Sequence, residues 1–481
     1  MNVFVALTAL SYVLTGDWLA TLAMAVLGAL WGLTRNAKGP PVLFLALTYQ
    51  WAQTSIGLFY GPITGRELLA YSAEMHRSMA LLGLGSVLAL GLGIHLGIRF
   101  TQARKTENLI FDDLLTMPAM ATLYVGSFLV TGILQRLSES YEILHQPLVA
   151  VAMARLIIFY LVMRRLLVPP VQVVPIVGLL VFEVGIGMTG FFANFRDPLL
   201  LTGIALLEAF DRKRLVHWFA LGSIGLAGAV GGIFWMGVRG DYRVDFEEVE
   251  GFASSRSLRF ERLQQLGREW RSQDWQEMLW TVDFLVDRQW VIYYPALAMA
   301  RVPAVLPHTE GELLWTAIQH VTMPRILFPN KPNLTSDSNL VRKYSGIWVA
   351  GEEELTSIAF GYTAEAYVDF GVPVMFLPTL VWGCFIGWAY QTLRHLIKHE
   401  KILTPLLGVI FWFAVFLFER SWARTIGTTG TMLIYVGGLA FLVDRWLLQV
   451  RLVAQRERQS SPVAMPAAPT TAQLPHHSSI R

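Results

Sequence analysis

Apolar residues in this chain come in long unbroken runs, not in the one-sided stripes of soluble helices or the alternation of strands. They lie near residues 2–15, 17–33, 41–60, 78–98, 117–135, 149–165, 173–192, 197–210, 215–237, 368–392, 402–418 and 427–446. Most approach the ~20 residues that a helix needs to cross a bilayer. The first two runs, and 197–210, are short; Asp17 and the Arg196-Asp197-Pro198 turn split them from their neighbours. One long tilted helix at the N-terminus is the alternative, and it changes the helix count by one. The pattern predicts an all-α polytopic membrane protein with about 12 transmembrane helices and one large, partly helical periplasmic loop.

That loop is the only long polar stretch, roughly Val238 to Thr363. The predicted organisation is therefore N-terminal membrane helices over 1–237, the large loop over 238–366, C-terminal membrane helices over 367–448 and a cytoplasmic disordered tail over 449–481. A segment of this length does not stay structureless within a compact protein. Ser257–Arg271 sets Phe260, Leu263, Leu266 and Trp270 at helical spacing with charges opposite, and Trp275–Trp290 does the same with Leu279, Val282 and Val286. Both read as amphipathic helices at the membrane surface, capping a cavity or packed there for stability. Further on, Met323-Pro-Arg-Ile-Leu-Phe-Pro-Asn-Lys-Pro332 holds three prolines, which forbid a regular helix or central strand. It predicts a rigid extended loop that carries Arg325 and Lys331 apart from each other.

Composition sharpens the class. Hydrophobic residues make up 54% of the chain and charged residues only 15%, too few for a soluble enzyme of this length. The single cysteine, Cys384, excludes an intrachain disulfide and a cysteine-built zinc site. The N-terminus lacks the basic region and small-residue cleavage site of a signal peptide. Alternate connections hold Arg35, Lys38, Arg99, Arg104, Lys105, Arg164, Arg165, Arg212, Lys213, Arg214, Arg394, Lys398 and Lys401, and basic residues cluster again after 445. The opposite short loops hold far fewer, so both termini are expected in the cytoplasm and the long segment outside. The two halves show no internal repeat of the kind many transporters carry.

The candidate chemistry lies in local cations. Val238–Glu365 holds thirteen Lys and Arg against eighteen Asp and Glu, so it is net acidic and no diffuse surface for nucleic acid. Arg239, Arg288, Arg325, Lys331, Arg420 and Arg424 are all expected near the outer headgroup level. Arginine there suits phosphate, because it stays charged and its fork takes two oxygens. The plainer reading pairs Glu419 with Arg420 and Asp287 with Arg288, or has the cations anchor helix ends. Within the hydrocarbon, Arg155 and Glu183 come to similar depth on neighbouring helices and are expected to form a structural ion pair.

The order of motifs from Asp283 to Gly371 is similar to that of a known family: LVDRQW, HTEGELLW, the proline loop MPRILFPNKP, a Ser/Thr/Gly-rich stretch, then AEAYVDFG. It resembles the oligosaccharide repeat-unit polymerases of the O-antigen polymerase (Wzy) kind. The resemblance implies a glycosyltransferase that moves a glycan from undecaprenyl diphosphate to the sugar end of another lipid-linked repeat unit, in the periplasm. It implies an undecaprenyl-diphosphate-linked oligosaccharide as partner, within the lipid bilayer of the inner membrane, alongside a flippase and a chain-length regulator of the same export pathway. No nucleotide-binding glycine loop and no Asp-x-Asp cluster occur in the outer segment, so neither cofactor nor metal is expected. Leaving-group charge then falls to arginine and lysine, and a carboxylate or histidine must accept the hydroxyl proton. Glu365, His308 and His320 are the candidates, Glu365 first; just ahead of a helix expected from Val368, it could equally stabilise that helix N-terminus. A ligase using the same donor, a lipid-linked glycan flippase and a non-catalytic assembly subunit are the other readings.

Overall fold

The computed structural model describes residues 2–66, 68, 74–101, 116–141, 144–168, 170–189, 195–247, 256–323, 327–328, 330–331, 333–351, 353 and 356–460. They form helices and connections with no strand among them. The first half contains α1 (Asn2–Thr15), α2 (Trp18–Thr34), α3 (Val42–Thr64), α4 (Glu74–Phe100), α5 (Met117–Ser140), α6 (His145–Ala152), α7 (Ala154–Leu167), α8 (Val173–Met188), α9 (Arg196–Glu208) and α10 (Leu215–Glu247). There follow α11 (Arg256–Arg271), α12 (Trp275–Gln289), α13 (Tyr293–Arg301), α14 (Glu312–Thr322), α15 (Asp337–Ser345) and α16 (Tyr362–Phe370). The chain closes with α17 (Phe376–Leu396), α18 (Glu400–Val415), α19 (Trp422–Thr431) and α20 (Gly438–Ser460), the last two joined by a π-helical turn over Met432–Gly437.

Among the described residues, five helical stretches are long and apolar enough to cross a membrane: Met75–Phe100, Met117–Ser138, His145–Leu167, Leu215–Tyr242 and Trp422–Val450. Three shorter apolar helices accompany them, Val3–Thr15, Trp18–Thr34 and Val173–Met188. Their outer faces leave large apolar side chains uncovered, among them Val125 and Leu129 on α5, Val174 and Val181 on α8, and Phe219 and Leu226 on α10. Such a surface fits a bilayer, not water, and the protein is membrane-embedded. The core sits on α18, where thirteen consecutive residues from Leu403 to Val415 are buried. Around it α3, α7, α9 and α17 contribute Leu47, Phe159, Leu206 and Tyr390 to the same cluster.

The tightest crossing joins α4 to α17. A Cβ placed on Gly93 or Gly97 would overlap the carbonyl oxygens of Leu380 or Cys384, and one on Gly383 or Gly387 those of Leu90 or Ile94. The contacts advance together along both helices, so the two run in the same direction. Small residues four apart on each partner let the backbones meet, as membrane helices favour. Two intramembrane expectations are realised. Asp17 caps α2 by accepting from Leu19 N at 2.9 Å, next to Gly16 in the left-handed region (φ 63°), and this splits the first apolar stretch. Arg155 pairs with Glu183, which also accepts from the Tyr124 hydroxyl at 2.5 Å.

Three expectations need correction. The run 368–392 is not one helix: α16 ends at Gly371 (φ 65°), Pro373 blocks continuation, and α17 begins at Phe376. The helix expected over 215–237 runs on to Glu247, because Val238 and Tyr242 find a buried seat against α11. The tail expected to be disordered from 449 is helical to Ser460, since its Leu, Gln, Arg and Ala residues are good helix formers; 461–481 lie outside the described residues.

Candidate active site

The site is built where α14, α15, α16 and α19 meet. Asp369, buried at the end of α16, accepts from the backbone N–H of Leu313 at 3.0 Å and Leu314 at 2.9 Å, and from the Thr309 hydroxyl at 2.5 Å. It thereby satisfies the open N-terminus of α14 from another helix. The turn that feeds α14 uses Glu310 (φ 53°) and Gly311 (φ 96°) to reverse the chain. Burial raises the Asp369 carboxyl above its usual range, although these three donors act against that.

Between these elements lies a cavity of about 400 Å³, within the size range of small-molecule sites. Glu365 and Ser421 line it with Asp337, Lys343, Ser336 and Arg424. Arg424 holds Asp337 at 2.8 Å and donates to the Ser357 hydroxyl at 2.7 Å. Ser336 caps α15 and Ser421 caps α19, so two helix N-termini converge on one cavity. Each favours negative charge in front of it. Glu365 is 3% exposed and accepts from Trp422 N at 2.8 Å. Burial pushes its carboxyl up to about 8; the Trp422 hydrogen bond opposes this, and the charges of Asp337 and Asp369 add to it. A carboxyl so placed holds its proton at neutral pH and is a strong base once it has lost it. It lies in the first turn of α16, not ahead of a helix, and the N-terminus it serves is that of α19.

The Phe416–Ser421 connection joins this cavity to a cluster of arginines. Arg288 binds Glu419 through two contacts, at 2.7 and 3.2 Å. The expected local pairing of Glu419 with Arg420 is replaced by this partner, 131 positions away. Arg420 donates to Phe413 O at 2.5 Å and stacks 5.5 Å from the Phe416 ring, as does Arg196. Burial pushes the Arg420 guanidinium down to about 10, and Arg424 and Arg196 push it further the same way. Sequence reasoning treated Arg196 as a turn residue only; its signal was a cation opening an apolar helix. Two buried glutamines of α3 tie the region to the bundle: Gln53 accepts from Phe418 N at 2.9 Å, and Gln50 from the Tyr362 hydroxyl at 2.6 Å. Tyr362 N in turn donates to Arg420 O at 2.8 Å.

The remaining candidates stand elsewhere. Arg239 lies 5.7 Å from the Phe284 ring. Lys331 Nζ donates to His320 O at 2.9 Å, at the C-terminal end of α14. His308 contacts Val368 O at 3.2 Å through Nδ1 and meets the Tyr367 ring edge-on. Neither His308 nor His320 lines the cavity. Arg325 lies outside the described residues. No protein-family model matches this chain, and neither a curated protein nor a solved structure matches it.

Proposed function

We propose that the chain is a metal-independent glycosyltransferase of the bacterial inner membrane that polymerises undecaprenyl-diphosphate-linked oligosaccharide repeat units at the periplasmic face. The chain crosses that membrane about 12 times, with 238–366 outside and both termini in the cytoplasm. The shared direction of α4 and α17 agrees with this layout, in which both cross from outside to inside. One observation carries the chemistry: a single cavity holds the Glu365 carboxyl together with Arg424 and Lys343, in front of two helix N-termini.

In the reaction, an acceptor sugar hydroxyl attacks the anomeric carbon of the donor glycan. The new glycosidic bond forms as the bond to the diphosphate oxygen breaks, and the electron pair leaves with the lipid diphosphate. Glu365 takes the hydroxyl proton. Arg424 and Lys343 meet the charge that grows on the leaving group, the term that usually dominates such catalysis. Arg288 and Arg420 add positive charge along the Phe416–Ser421 connection, and Arg325 of the proline loop is assigned to the diphosphate on its sequence alone.

The test uses purified protein in vesicles with lipid-linked repeat units. Wild type makes polymer. Glu365→Gln keeps an oxygen for Trp422 N but cannot take a proton; it stays folded and loses about 10²–10⁴-fold in rate. Arg325→Ala is expected to lose about 100–1,000-fold and leave single repeat units. Polymer at the wild-type rate from Glu365→Gln rejects Glu365 as the base. Transfer to a lipid A-core acceptor in place of chain growth identifies a ligase.

A further inference from the structure

A second cavity, of about 650 Å³, lies between α10 and α11. Its floor is apolar, with Met188, Val230, Gly231, Phe234 and Leu263, and Arg268 and Arg271 stand at its edge. We propose that it holds an anionic phospholipid of the surrounding bilayer, headgroup phosphate on the two arginines and acyl chain along the floor. The inference needs only membrane embedding, not the glycosyltransferase reading.

Four observations lead there. First, Val230, Gly231 and Phe234 belong to the membrane-spanning stretch Leu215–Tyr242. Phe234 is eight residues from its end, about 12 Å along the helix, so the floor descends into the hydrocarbon. Second, α11 is amphipathic: Leu263 and Leu266 are buried against Trp235 and Tyr242, and Arg268 and Arg271 are exposed. A helix of this kind sits at headgroup level, where arginine forks bind phosphate. Third, neither arginine has an ion-pair or hydrogen-bond partner among the described residues, and no carboxylate lines the cavity. Fourth, Gly267 keeps the space open. A Cβ there would meet only the Phe234 ring, at 3.7 Å, so this mid-helix glycine relieves no clash despite its cost to the helix. The occupant is a bilayer phospholipid and not a reacting lipid, because the cavity shares no residue with the Glu365 cavity and offers no acid or base.

Native mass spectrometry of the full chain, purified in detergent and offered phosphatidylglycerol or phosphatidylcholine, tests this. Wild type should retain phosphatidylglycerol over phosphatidylcholine by at least roughly tenfold, the effect of one charge-assisted contact. Arg268→Gln with Arg271→Gln should abolish the preference. Gly267→Leu, which fills the cavity and leaves both charges, should abolish retention while raising or preserving the thermal transition. If the double variant fails to fold, Gly267→Leu and the comparison of the two lipids decide alone. Equal retention of both lipids, or variants that retain lipid as wild type does, overturns the proposal. Displacement of phosphatidylglycerol by equimolar undecaprenyl diphosphate or by millimolar inorganic phosphate also overturns it, assigning the site to substrate or to free anion.

Discussion

Between α4 and α17 backbone meets backbone; around Glu365 the contacts run through buried polar side chains. The first region has four glycines in register and no charge at the crossing. The second holds Glu365, Asp369 and Ser421 almost out of water, each bonded to the N-terminus of a helix. Packing of the first kind has one geometry and tolerates no added atom. The second kind stores titratable groups whose energy depends on pH and on what enters the cavity. The bundle is thus the rigid member, and the cap built on it is the adjustable one.

The largest effect should come from breaking the seam. Gly387→Leu drives a side chain into the backbone of α4, and fluorescence-detected size-exclusion chromatography in detergent should show loss of the folded peak. Gly126→Leu on α5 is the control; nothing lies within 4 Å of its Cβ, so the peak should stay. If both variants run as wild type, the seam is not what fixes the bundle.

Next comes the pH response of the cap. Glu365 is raised in the fold to about 8 from an ordinary 4.5. Across that window the folded protein keeps a proton the unfolded chain has lost. Its stabilising contribution is therefore complete below the ordinary value and is lost as pH rises through about 8. The slope is about 1.4 kcal/mol per pH unit. Glu365→Gln should flatten that part of the profile in thermal unfolding, whereas Gly126→Leu should leave it unchanged. Catalysis runs the other way: if Glu365 is the base, polymer formation rises with pH and levels off near that value, and a flat rate profile would remove it from the role.

Asp369→Ala should cost about 2–3 kcal/mol, because two buried N–H groups of α14 lose their acceptor. Asp369→Asn keeps one acceptor oxygen and should cost about half as much, measured as the shift in detergent melting temperature. The smallest change is expected from Lys331→Met, about 0.5 kcal/mol, since a cation at a helix C-terminus contributes little at a wet surface. A loss above that of Asp369→Ala would show that Lys331 carries more than the end of α14.

What could be read from the chain follows the same division. Periodicity located α11 and α12 to within a residue or two, and local chemistry explained the break at Asp17. Arg155 and Glu183 were legible because an uncompensated charge at that depth is costly. The cap was less legible because its bonds span the chain: Trp422 N reaches Glu365 across 57 positions, and Arg288 reaches Glu419 across 131. Local propensity carries no information about such partners. The seam glycines were hidden differently, since glycine is common throughout these helices and only tertiary contact distinguishes Gly387 from Gly126. Nor did the apolar run 368–392 betray its interruption, which depends on Gly371 and Pro373 acting together.

The π-helical turn over Met432–Gly437 bears on how one long helix serves two interiors. Thr425 is buried in α19 beside the cap, and Asp444 is buried in α20, where it accepts from His399 N at 2.9 Å. In an uninterrupted α-helix these positions would be about five and a quarter turns apart, so they would point a quarter-turn away from each other. The wider turn absorbs roughly one residue and brings the separation to about five whole turns, which returns both side chains to one stripe. The wide turn thus accommodates one extra residue without loss of phase: deleting one residue within 432–437 leaves eighteen steps, about five turns of plain α-helix, and should keep Asp444 on His399 and Thr425 where it is, whereas inserting one more residue there should rotate Asp444 away.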